Sequence, residues 1–143
     1  MFSLDHHVRV WVFQVLNHEV QYLLLRQKPA AEWPLGPVIG AIEPHEHMRE
    51  AVVREVWEET GIGKPLHLID LPNPTKQIFG DVGLVEWRFA YQAGTPAHPI
   101  REVHPGPKIG EFAWMSFDEA FRCIETADDR ESLVQVQLRL HAS

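Results

Sequence analysis

Glu55, Glu58 and Glu59 stand at i, i+3 and i+4 in the segment REVWEETGI. On a helix that spacing gathers three carboxylates on one face, within about 100–140° of arc. Like charges so placed repel one another and cost helix stability. Hard divalent cations take oxygen ligands, and magnesium is held by a few carboxylates together with substrate phosphates. A bound cation would turn the repulsion into a site, and Arg54 can pair with a neighbouring glutamate to fix its rotamer. The alternative is a solvated acidic helix laced by Glu50–Arg54 and Arg54–Glu58 pairs. Those pairs leave Gly40, Glu46 and Gly61 unexplained. His45 and His47 flank Glu46 and invite a zinc reading. No Cys lies nearby and no His follows at helical spacing, so both are read as exposed polar residues.

Residues 40–62 read GAIEPHEHMREAVVREVWEETGI. They fit G-x5-E-x7-R-E-U-x-E-E-x-G-U, U being a bulky aliphatic, at every fixed position. Seven polar or glycine positions coincide by accident less than roughly once in a million chains. This stretch resembles the Nudix box, and the chain is similar to a small Nudix hydrolase, although the box covers 23 of 143 residues. The resemblance implies an α/β/α sandwich around a mixed sheet. It also implies an enzyme, a Mg2+- or Mn2+-dependent pyrophosphohydrolase that cleaves a diphosphate bond in a nucleoside diphosphate linked to another moiety. By position, Glu55, Glu58 and Glu59 would be metal ligands, joined by the carbonyl of Gly40. Glu46 would be a supporting acid, and Arg54 would orient the glutamates. Ala41 and His45 stand where glycine is frequent, but neither alters a charged position.

Similar chains carry a further glutamate, a metal ligand or the base, about six residues before an aromatic that corresponds to Trp114. Lys108 fills that slot here. Glu102, in a long loop, and Glu111, beside the following strand, are the nearby candidates for a catalytic or metal role. Without them, a box glutamate such as Glu55 would act as base. Arg26, Trp33 and Lys108 are the candidate substrate contacts. Arg26 ends a strand aimed at the box, and would meet phosphates or form a surface salt bridge. Trp33 would stack on a base or pack under its loop.

The tail AWMSFDEA…DDRESLVQVQ is loosely similar to dATP and dihydroneopterin triphosphate pyrophosphatases of the same family. That implies a nucleoside triphosphate cleaved to monophosphate and pyrophosphate. Gln77-Ile78-Phe79 lacks the proline of the ADP-ribose subgroup and the tyrosine of the diadenosine polyphosphate subgroup. Dinucleoside polyphosphates and nucleotide sugars remain alternatives. A non-catalytic nucleotide-sensing module would lose box carboxylates, and all are retained. Isoprenoid diphosphate isomerisation would need an added acid or thiol, and Cys123 lies in the wrong region.

The elements that must position these residues are legible in pattern. Val8–Leu16 and Val20–Arg26 read as paired core strands, and Pro37–Gly40 as a short strand leading into the box. The helix runs from about Glu46 to Thr60, stopped by Gly61, with Val53, Val56 and Trp57 suited to the sheet. Pro65–Leu71 reads as a strand, 77–79 and 82–91 as a hairpin, and Ala93–Pro107 as a long loop. A last strand spans Glu111–Met115. Ser116 and Glu119 form a capping box for a short helix, and Thr126 caps a final one. There Leu133, Val136, Gln137 and Leu140 share a core face. Trp11, Trp57, Trp87 and Trp114 are expected in the core, and Cys123 as a buried apolar residue.

One domain, 1–143, is the expected organisation. The net charge of −7 argues against a surface for long nucleic acid and leaves a small nucleotide as the expected partner. No apolar run of about 18 residues marks a membrane span. The single cysteine and the charged N-terminus favour a cytoplasmic setting. The resemblance leaves a homodimer open.

Overall fold

Period-two alternation along β1 (Ser3–Leu16) sorts the molecule into layers. Val8, Val10 and Val12 face one way and pack with Ala51, Val52 and Val56 of α1 (Met48–Thr60). Trp11 and Phe13 face the other way. They pack with Ala120 of α2 (Phe117–Cys123) and Leu133 and Val136 of α3 (Ala127–His141). The computed structural model describes residues 2–141.

The sheet between these layers is mixed. β1 runs parallel to β6 (Val82–Gly94). It pairs antiparallel with β2 (Glu19–Gln27) through its C-terminal half and with β3 (Val38–Ala41) through residues 7–10. Beyond β6 lie β4 (His67–Asp70) and β5 (Thr75–Phe79), and β7 (Ile109–Met115) pairs with β2. The expected α/β/α sandwich is present. β1 is longer than its apolar run because residues 3–7 continue the parallel ladder beside β6.

The capping signals also hold. Ser116 Oγ accepts from the Glu119 N–H at 3.2 Å, and Thr126 Oγ1 accepts from the Asp129 N–H at 3.3 Å. Two expectations fail. Trp57 is 60% exposed rather than in the core. Val52 and Val56 set the buried stripe of α1, with Ala51 and Glu55 buried beside it and Val53 partly buried against the same core, while Trp57 lies beyond that contact. Cys123 is exposed, because α2 ends there and turns Ala120 and Ile124 inward.

An ionic network fastens α3 to the sheet. Arg9 and Arg88 stand opposite each other on β1 and β6, so two cations meet on one face. Asp129 sits between them. It accepts from Arg9 Nε at 3.0 Å and Nη2 at 2.5 Å, and from Arg88 Nη1 at 2.8 Å. Glu86 accepts from Arg9 Nη1 at 3.1 Å, so the two arginines meet two carboxylates. Trp11 Nε1 donates to Ser132 Oγ at 2.7 Å, and the Tyr22 hydroxyl donates to Gln137 at 2.5 Å.

Burial works against the Asp129 carboxylate, but Arg9 and Arg88 outweigh it and hold its pKa below the ordinary aspartate value. Its stabilisation is therefore fully present above about pH 4 and is lost as pH falls from there toward the lowered folded value. Asp129→Asn, which leaves buried Arg88 and half-buried Arg9 short of a counter-charge, is expected to cost about 3 kcal/mol at neutral pH by urea unfolding. It should also flatten the stability profile below about pH 4. A variant as stable as wild type would contradict the network's role.

Candidate active site

α1 begins one turn after β3. His47 precedes its first residue, and the His47 N–H donates to Glu50 Oε1 at 3.1 Å. Gly61 ends the helix at φ 74°, a left-handed cap that a side chain would strain. Val52 and Val56 anchor the helix on the sheet; fully burying a valine contributes about 1.5–3 kcal/mol. With that face fixed, Glu55 is carried to the sheet side at 8% exposure, Glu59 is half-buried and Glu58 is exposed.

The three glutamates converge as their spacing predicts. Each offers an oxygen, and those oxygens lie within 4.8 Å of one another. Burial pushes Glu55 above its ordinary carboxylate value, and Arg54 only partly offsets it. Burial and then the charge of Glu55 push Glu59 up. Carboxylates under this strain suit a cation. The donors are all hard oxygens, which fits magnesium or manganese rather than a thiophilic metal.

Gly40 explains how Glu55 reaches the sheet. A Cβ at that position would fall on the Glu55 carboxylate. The glycine vacates the space that the acid occupies.

Arg54 stands at the centre of the entrance to the helix. Its Nε and Nη2 grip Glu46 at 2.7 and 3.0 Å, and Nη2 also donates to the Ala41 carbonyl at 2.9 Å. Its Nη1 meets Glu55 at 2.8 Å and Glu58 at 3.3 Å. One guanidinium thus ties β3, the connecting loop and two of the trio together. The hydrogen bonds from Arg54 hold Glu46 below its ordinary pKa, and the Glu43 N–H adds a bond at 3.0 Å. Glu46 is occupied by Arg54.

The other expected residues are distributed unevenly. Lys108 lies at the trio, where its charge favours the ionised forms of Glu55 and Glu59. Glu111 pairs with Arg26, which faces it across β2 and β7, and Arg26 Nη1 also donates to the Trp33 carbonyl at 2.7 Å. Arg26 therefore makes the surface salt bridge and braces the Trp33 loop. Glu102 meets His104 Nε2 at 3.2 Å, with both side chains exposed. Neither Glu102 nor Glu111 lines the cleft around the trio. His45 and His47 are exposed, as expected.

Two hollows meet at Glu59. One of 210 Å³ runs under Trp33, Pro34 and Leu35. The other, of 600 Å³, is walled by Trp57, His104, Pro107 and Lys108. The second wall was invisible in the motif. Its one available signal was Trp57, an aromatic lying off the stripe set by Val52 and Val56.

Comparison with known proteins finds relatives of this chain and of its fold. A family model described as the NUDIX domain matches residues 5–136. An NAD-capped RNA hydrolase of Schizosaccharomyces pombe is 37% identical over 71 residues, 46% of this chain. The match spans 18% of that relative's length. A Caenorhabditis elegans Ap4A hydrolase superposes with a TM-score of 0.75 at 16% identity, over 97% of this chain and 99% of that one. The E. coli dihydroneopterin triphosphate pyrophosphohydrolase gives 0.71 at 20% identity, over 91% and 92%.

Gly40→Ala tests the close approach. The new methyl group must displace the Glu55 carboxylate, an overpacking worth about 1–3 kcal/mol. Affinity for Mn2+, measured by calorimetric titration, should fall roughly tenfold or more. Unchanged affinity would show that Glu55 needs no such vacancy.

Proposed function

The chain belongs to the Nudix family, and on that premise we propose that it hydrolyses a diphosphate bond in a nucleotide, using Glu55, Glu58 and Glu59 to hold Mg2+ or Mn2+. The observation that carries the proposal is the convergence of three carboxylate oxygens within 4.8 Å on a helix braced by Arg54. When bound there, such a cation offsets phosphate charge and lowers the pKa of water. The chain's own residues do the rest. Arg54 fixes Glu46 and Glu55, so the trio is ordered before substrate arrives. Lys108 offers a cation to the phosphates from across the cleft. A glutamate takes the proton of the attacking water. Glu102 is held by His104 and Glu111 by Arg26, which supports a box glutamate, Glu55 first, in that role.

The substrate we favour is a nucleoside triphosphate, dATP-like or dihydroneopterin triphosphate, cleaved to monophosphate and pyrophosphate. The similarity of the tail at residues 113–137 supports it. The hollow beneath Trp33 adjoins Glu59, which suits a base or pterin ring placed there while the phosphates meet the trio. A dinucleoside polyphosphate is the second reading, favoured by the further aromatic wall at Trp57.

Product analysis with Mg2+ and then Mn2+ across these nucleotides tests the reaction. Glu58→Gln, at an exposed position, should keep the fold and lower kcat by roughly a hundredfold or more. Turnover near wild type in that variant would remove the trio from the mechanism.

A further inference from the structure

We infer that Lys108 serves the carboxylate trio as a resident cation, and that its charge leaves the substrate-free site matched by a single divalent ion, held more loosely than the trio alone would hold it. The inference rests on the proposed use of Glu55, Glu58 and Glu59 to hold Mg2+ or Mn2+, and adds what sets the number and affinity of the ions.

Lys108 is placed by its backbone. Its carbonyl accepts from the Lys28 N–H at 2.8 Å, which ties it to the residue after β2. The next residue, Ile109, is 6% exposed and belongs to the core beneath α1. Two residues earlier, the Gly106 N–H donates to the Glu59 carbonyl at 3.1 Å, and a Cβ on Gly106 would fall on the Glu58 carbonyl. The His104 N–H donates to the Thr60 carbonyl at 2.8 Å. The chain is thus fastened to the last turn of α1 on one side of Lys108 and to the end of β2 on the other.

Between those anchors the Lys108 side chain is exposed and lines the 600 Å³ cleft with Glu55, Glu58 and Glu59. Among the described residues of that lining, Lys108 alone carries a permanent positive charge. An ammonium on a flexible four-carbon stem is a mobile point charge, able to serve several carboxylates in turn. Its field reaches the trio, where it favours the ionised forms of Glu55 and Glu59.

The surrounding charges leave a definite excess. Arg54 and Glu46 offset each other at 2.7 Å. Glu43 lies 3.7 Å from Arg54, outside the converging oxygens. His104, the other basic side chain of the wall, meets Glu102 at 3.2 Å. Three carboxylates then face one ammonium, and a single divalent ion neutralises the difference. A second ion would enter against like charge. The first ion feels the same ammonium, which weakens its hold.

Mn2+ binding to the substrate-free protein tests the inference without turnover, by calorimetric titration and by electron paramagnetic resonance of the free ion. Wild type should bind one Mn2+. Lys108→Gln should bind it about fivefold more tightly at low salt, with the gap closing as added salt screens the charge. Lys108→Arg keeps the charge and should stay within about twofold of wild type. Mg2+ should also raise the melting temperature of Lys108→Gln more than that of wild type. The side chain is exposed and the anchors are backbone bonds, so both variants should keep the wild-type circular dichroism. Two or more ions on wild type, or a Lys108→Gln affinity no tighter than wild type, overturns the inference and leaves the proposed hydrolysis intact. Equal tightening in Lys108→Arg and Lys108→Gln overturns it as well, because charge is then not the cause. No Mn2+ on wild type or on either variant overturns the metal reading on which it rests.

Discussion

Repulsion among Glu55, Glu58 and Glu59 is the tension around which this molecule is arranged. Three carboxylates on one helical face disfavour the helix that carries them. The fold retains the helix because Val52 and Val56 are buried against the sheet and because Arg54 returns one positive charge to the cluster. Arg54 is shared with Glu46, and with the charge of Lys108 it only partly offsets the trio. The raised pKa values of Glu55 and Glu59 follow from burial acting on that excess. A divalent cation is what the residual charge calls for.

The rest of the architecture supports that helix in place. β3 delivers Gly40 beneath Glu55, and the Arg54 fork locks the connecting loop at Glu46 and Ala41. On the opposite face of the sheet, Asp129 between Arg9 and Arg88 does for α3 what Arg54 does for α1: opposite charge holds a helix against strands that would otherwise present like charges to each other. The loop after β6 closes on the C-terminal turn of α1 through backbone hydrogen bonds, so Lys108 reaches the trio from a distant part of the chain.

Much of this was legible in the sequence. The i, i+3, i+4 carboxylates, the two box glycines, the alternation of β1 and the capping signals at Ser116 and Thr126 are local patterns, and local patterns survive folding. What failed depended on a choice between neighbours. Val53 packs against the core as expected, but Trp57, four residues on, is turned outward, while the space beside Gly40 lets the acidic Glu55 take a buried place on the sheet side. The pairing of Arg26 with Glu111 and of Glu102 with His104 was likewise out of reach, because it depends on which strands and loops meet. The contact of His6 with Trp87, on which it stacks and from whose indole it accepts a hydrogen bond at 3.0 Å, likewise depends on the pairing of β1 with β6.

The most direct test of the central claim is thermal unfolding of wild type and of a Glu55→Gln/Glu58→Gln/Glu59→Gln variant, each without and with saturating Mg2+. If charge repulsion at the trio is what the cation relieves, the variant melts higher than wild type in chelator and is unmoved by Mg2+, while wild type rises with the ion. A variant that melts below wild type in chelator, or that gains as much from Mg2+ as wild type does, would contradict it.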